Sequence, residues 1–173
     1  TIWPFSTGVI GQLLPVKCIH TAAPAVWSQL SENGWSQAAS AIMTTDTVPK
    51  GFSRTVMIDG ESITLSGICK GAGMIRPDMA TMLAYVATDA AIAQADLDHL
   101  LQDAVQCSFN RITVDGDTST NDACMLAATA VSSVALSPSH KDWPVFQSAL
   151  NDLFIELSTS IIRDAEGATK FIT

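Results

Sequence analysis

Residues 52–71 read FSRTVMIDGESITLSGICKG, and the reading of this stretch decides the fold. Hydroxyl, β-branched and apolar residues alternate on both sides of Asp59 and Gly60, a pair suited to a tight two-residue turn. The stretch therefore predicts a β-hairpin. Immediately downstream, residues 70–83 read KGAGMIRPDMATML. Gly71, Gly73 and Pro77 are loop residues, because glycine allows unusual backbone angles and proline restricts its own and its neighbour's. The apolar run from Met82 to Ala87 then predicts a buried strand reaching about Thr88. A hydroxyl residue, Thr81, stands where that loop meets that strand.

Further out, ADLDHLLQDAVQCS at 95–108 sets Leu97, Leu100, Leu101, Ala104 and Val105 opposite Asp96, Asp98 and Asp103, as an amphipathic helix requires. ITVDGD, from Ile112, reads as a further strand, and 121–134 as a helix buried against a sheet. Apolar residues at intervals of three and four from Asp142 to Ile162 predict a long helix, with a short strand after its end at RDAEGATKF. On the N-terminal side, 15–30 has helical spacing with a kink or break at Pro24, Asn33 and Gly34 form a stop, and 35–43 is a shorter helix. Helices on both sides of a hairpin point to an α+β fold.

With 173 residues, 47% of them hydrophobic, the chain can build one substantial core. Its formal net charge of -8 and lack of a dense basic run argue against nucleic acid as a partner. Cys18, Cys69, Cys107 and Cys124 are scattered among apolar or small residues and read as reduced core thiols of a cytoplasmic protein. No apolar stretch reaches the roughly 20 residues of a membrane span, and a basic-then-apolar leader is not seen.

Chemistry has few candidates. His20, His99 and His140 are isolated from one another and from the cysteines, and His99 and His140 read as solvated side chains, which leaves no expected metal or other cofactor. Asp115, Asp117, Asn121 and Asp122 look like the start of a calcium loop, but glycine falls at the second position and no Glu at the twelfth, so a structural turn is the better reading. STGVIG at 6–11 lacks the lysine of a phosphate loop. Thr7 and Gly8 offer a hydroxyl and a backbone N–H, the two donors an oxyanion hole needs, although the segment taken alone reads first as a turn. Thr81 lacks a neighbouring base. Cleavage of the Ala80–Thr81 bond would supply one, since the freed α-amine, with a pKa of roughly 8, would sit beside its own hydroxyl.

Taken together, STGVIG, IMTTDT, KGAGMIRPDMATML, FNRITVDGDTSTNDA and DAEGATKF resemble, in order, the ornithine acetyltransferases, also called glutamate N-acetyltransferases or the ArgJ family. The resemblance implies a layered α/β/β/α-type sandwich like that of N-terminal nucleophile hydrolases. It implies self-cleavage between Ala80 and Thr81, so that residues 1–80 end an α chain and 81–173 begin a β chain whose first residue is the nucleophile. Thr7 and Gly8 match the oxyanion-hole pair, and Thr44, Lys70, Thr81 and Glu166 the substrate contacts. The implied reaction moves the acetyl group of N2-acetylornithine to glutamate through an acetyl-threonine, with acetyl-CoA open as a second donor. Partner chains would pair as heterodimers and assemble as a heterotetramer, with no membrane or nucleic acid involved. Family members are roughly twice as long, so this chain is expected to be a fragment, inactive alone. Two alternatives remain: a related aminopeptidase or amidohydrolase with water as acceptor, and a non-catalytic assembly domain.

Overall fold

The computed structural model describes residues 4–76, 82–119 and 121–172. In chain order the elements are helices α1 (Val16–Ser28) and α2 (Trp35–Ala41), strands β1 (Lys50–Ile58), β2 (Glu61–Lys70), β3 (Leu83–Thr88) and β4 (Ala91–Ile92), helix α3 (Gln94–Cys107), strands β5 (Ala123–Ala128) and β6 (Ala135–Leu136), and helix α4 (Trp143–Arg163). The α+β class expected from the sequence is the one adopted.

The hairpin forms as its residues dictate. Asp59 and Gly60 take φ of 48° and 83°, the left-handed pair that matches the twist of the two strands it joins. β1 and β2 then pair antiparallel from Ile58↔Glu61 to Lys50↔Cys69. β3 adds antiparallel to β2, and β5 parallel to β3, giving a four-stranded sheet in the order β1-β2-β3-β5. β4 and β6 form a separate parallel pair.

Period two assigns the faces of β2. Ile63, Leu65 and Cys69 turn toward α4, whose Phe146, Leu150, Leu153, Phe154, Leu157 and Ile161 are wholly buried. Gly67 lies on the same face because nothing larger fits: a Cβ there would stand 2.9 Å from both Leu157 Cδ1 and Val86 Cγ2. α3 packs beside α4 through Leu97, Leu100 and Ala104. α2 lies against β1 and β2, and α1 buries none of its residues. No helix among the described residues is long and apolar enough to cross a membrane.

Several expectations are corrected. Residues 123–128 form strand β5 instead of part of a helix, because their small and apolar side chains line up beside β3 over the full length of that strand. Val114 and Asp115 make only isolated bridges to Ile75, since Asp115 and Gly116 turn the chain with φ of 57° and 79°. The segment after α4 is irregular from 164 to 172 instead of a strand. α1 continues through Pro24 without a break, although that residue has no N–H for the helical ladder. Cys18 is exposed, whereas Cys69 is buried. Burial pushes the Cys69 and Cys124 thiols up to about 12, so both are inert thiols at neutral pH. His140 is not solvated: its Nε2 lies 2.7 Å from Asp59 Oδ2 and its Nδ1 accepts the Asp142 N–H, fastening the hairpin turn to the start of α4.

Candidate active site

Three strands bring the candidate residues to one edge of the sheet. In register, Lys70 at the end of β2 faces Leu83 at the start of β3, which faces Ala123 at the start of β5. The residues just outside these positions, 71–76, 82 and 121–122, therefore converge. Ala80 and Thr81 lie outside the described residues, but Met82, bonded directly to Thr81 in the chain, is described. Its N–H donates to Asp122 Oδ1 at 2.7 Å.

Lys70 is 1% exposed, and its Nζ donates to Thr44 Oγ1 at 2.8 Å. Burial pushes this ammonium below the usual lysine range, while the Asp46 and Asp122 carboxylates draw it back up. Asp122 shifts the other way: burial raises its carboxyl, against the Met82 N–H and the Lys70 charge, which both lower it. Its second oxygen, Oδ2, is buried and has no hydrogen-bond partner among the described residues.

Behind Thr44 and Lys70 lies a charged cluster that the motifs did not single out. Asp46 Oδ1 accepts the Gly71 N–H at 2.8 Å and Lys50 Nζ at 2.6 Å, and its Oδ2 accepts the Thr44 N–H at 3.1 Å. Lys50 Nζ also donates to Asp164 Oδ2 at 2.5 Å. Asp164 accepts both the hydroxyl and the N–H of Thr47. Burial alone would raise both carboxyls, but the Lys50 ammonium and the surrounding donors outweigh it and hold each below the usual carboxylate range. Asp46 stands in IMTTDT and Asp164 in DAEGATKF, so the motifs contained them. The only sequence signal for the cation was the four-residue spacing from Asp46 to Lys50.

Glu166, two residues after Asp164, is exposed. Its N–H donates to Ala72 O at 2.7 Å, and its Oε2 is 3.1 Å from where a Cβ on Gly73 would stand. A side chain at position 73 would thus press on the end of the Glu166 side chain and require it to shift slightly. Thr7 and Gly8 sit on an N-terminal loop that lines one hollow together with Asn121, the residue before Asp122. Phe5 anchors this loop by an edge-on contact with Tyr85 of β3, ring centroids 6.0 Å apart. Asp115 serves as a turn residue, accepting the Met74 and Asp117 N–H groups.

The structure thus brings Thr44 and Lys70 into direct contact, sets Glu166 against the 72–73 loop, and places Thr7 and Gly8 beside the segment leading to Asp122. A family model described as "ArgJ family" matches residues 1–173. The chain belongs to the ArgJ family. An "Arginine biosynthesis bifunctional protein ArgJ" of Methylococcus capsulatus is 55% identical over 172 residues, covering 99% of this chain and 42% of that protein. One of the same name from Pseudomonas syringae pv. tomato is 51% identical over 174 residues, covering 99% and 43%. The chain therefore spans less than half the length of these ArgJ relatives. The crystal structure of an ArgJ protein from Bacillus halodurans is similar over 50% of this chain and 41% of that one, with 45% identity and a TM-score of 0.48.

Proposed function

We propose that this chain carries the nucleophile and part of the substrate pocket of an ArgJ-type acetyltransferase, which moves an acetyl group from N2-acetylornithine to glutamate. The observation that supports this best is the cluster at the strand ends: Lys70 on Thr44, and Asp122 on the amide that follows Thr81. The names of the ArgJ relatives, which place them in arginine biosynthesis, agree with it.

In this reading the Thr81 hydroxyl first attacks the Ala80 carbonyl. The Ala80–Thr81 C–N bond then breaks as the hydroxyl proton passes to its nitrogen, an N-to-O acyl shift that frees the Thr81 α-amine, and water hydrolyses the ester to release the Ala80 carboxylate and restore the Thr81 hydroxyl. That amine takes the hydroxyl proton as Thr81 Oγ attacks the acetyl carbonyl of N2-acetylornithine. The Thr7 hydroxyl and Gly8 N–H donate to the oxyanion as it forms. The amine returns the proton to the leaving nitrogen, ornithine departs, and glutamate's amino group takes the acetyl group by the reverse steps. Lys70 and Thr44 suit the carboxylate shared by both substrates, and Glu166 the cationic amine of ornithine. Acetyl-CoA is a further donor to be tested.

The test is product analysis with the full-length protein that contains this segment. N-acetylglutamate formed from N2-acetylornithine plus glutamate, and lost in Thr81→Ala together with self-cleavage, is the expected result. Acetate released at the same rate with or without glutamate would contradict it and indicate an amidohydrolase.

A further inference from the structure

Stability alone is a weak reason for a buried charged cluster such as Asp46, Lys50 and Asp164. Lys50 and Asp46 side chains are each 1% exposed and that of Asp164 is 6%. Burying such charges costs about as much as their attraction returns, so apolar residues of the same volume would hold the strands equally well. What apolar residues could not supply is direction. Asp46 spends its oxygens on the N–H groups of Thr44 and Gly71, the second adjoining Lys70. Asp164 spends its own on Thr47 and stands two residues before Glu166, whose backbone is held to Ala72. Among the described residues, Lys50 is the single cation joining these carboxylates.

Resting on the acyl-transfer reading above, we propose that Lys50 is a positioning residue of the substrate pocket. Through Asp46 it sets Thr44 and Lys70, and through Asp164 it sets the turn that carries Glu166. Asp46 and Lys50 precede position 81 and Asp164 follows it, so the same ammonium keeps the residues on the two sides of the Ala80–Thr81 bond aligned as one pocket. Lys50 itself touches neither the acetyl group nor the nucleophile in this scheme.

The experiment uses the full-length protein, with Lys50→Met and Asp164→Asn compared with the parent in steady-state transfer from N2-acetylornithine to glutamate. A pocket contact set by this cluster acts on substrate binding more than on the chemical step, so KM for N2-acetylornithine rises at least about fivefold while kcat stays within about threefold. Self-cleavage proceeds as in the parent. Asp164→Asn keeps the side-chain volume and the Lys50–Asp46 pair, and decides the question if Lys50→Met does not fold. A smaller rise in KM for Asp164→Asn overturns the proposal, even if its melting temperature falls, because the cluster then only holds the fold. A parent that transfers no acetyl group is a separate result: it rejects the acyl-transfer reading, and the positioning role with it.

Discussion

Asp46 and Asp164 each accept several hydrogen bonds while sharing one ammonium, and this arrangement has a pH signature. Their carboxyls are held below their ordinary values in the folded chain, so the stability they add is present above the unfolded value of about 3.9 and is lost as pH falls through the folded values. Asp122, raised by burial, acts in the opposite sense and gains in the protonated form. The full-length protein should therefore lose stability as pH falls below about 4 more steeply than its Asp46→Asn, Asp164→Asn double variant, as read by urea midpoints at each pH. Equal slopes would mean that the cluster carries no net linkage. At this scale the sequence disclosed only part of the site. Thr44, Lys70 and Glu166 entered as candidates only through the family resemblance that the motifs around them carry. Lys50 was not legible, because its bond to Asp164 joins residues 114 apart, and no local pattern encodes such a contact. Asp122 was read as a turn residue since its partner, the Met82 N–H, is likewise 40 residues away.

Among the elements, the hairpin and α4 were legible because each carries its own period. Alternation around Asp59-Gly60 specifies β1 and β2, and intervals of three and four specify α4. Strand β5 was not legible: the mostly small side chains of ACMLAA show no clear alternation, and it becomes a strand by pairing with β3 at the edge of the sheet. The same packing explains Gly67, where a strand glycine would otherwise weaken the sheet. Gly67→Ala forces a methyl against Leu157 and Val86, at 2.9 Å from each, and should destabilise the full-length protein by about 1–3 kcal/mol, overpacking being about that costly in a dense core. Chemical denaturation checks this, and an unchanged midpoint would show that α4 can move off the sheet freely.

For the whole molecule, what matters is how residues on the two sides of position 81 are joined. β2 precedes that position and β3 follows it, yet they pair in register from Leu65↔Thr88 to Lys70↔Leu83. α4, from the second part, covers β1 and β2 from the first. Cleavage at Ala80–Thr81 would cut one covalent bond and leave this sheet, its helical cover and the Lys50 ion pairs to hold the parts together. The α+β class was legible because helices and strands fall largely into separate runs along the chain, with two helices before the hairpin and a long one after the strands. The converging strand ends were not, since they depend on the β1-β2-β3-β5 order. The central claim is that the hydroxyl of Thr81 carries the acetyl group. Incubating the full-length protein with N2-acetylornithine labelled in its acetyl group, without glutamate, and mapping the label by peptide mass spectrometry tests it most directly. The account predicts the label on the first residue of the peptide beginning TMLAY, discharged when glutamate is added. A label on any other side chain, or undiminished transfer by Thr81→Ala, would contradict it.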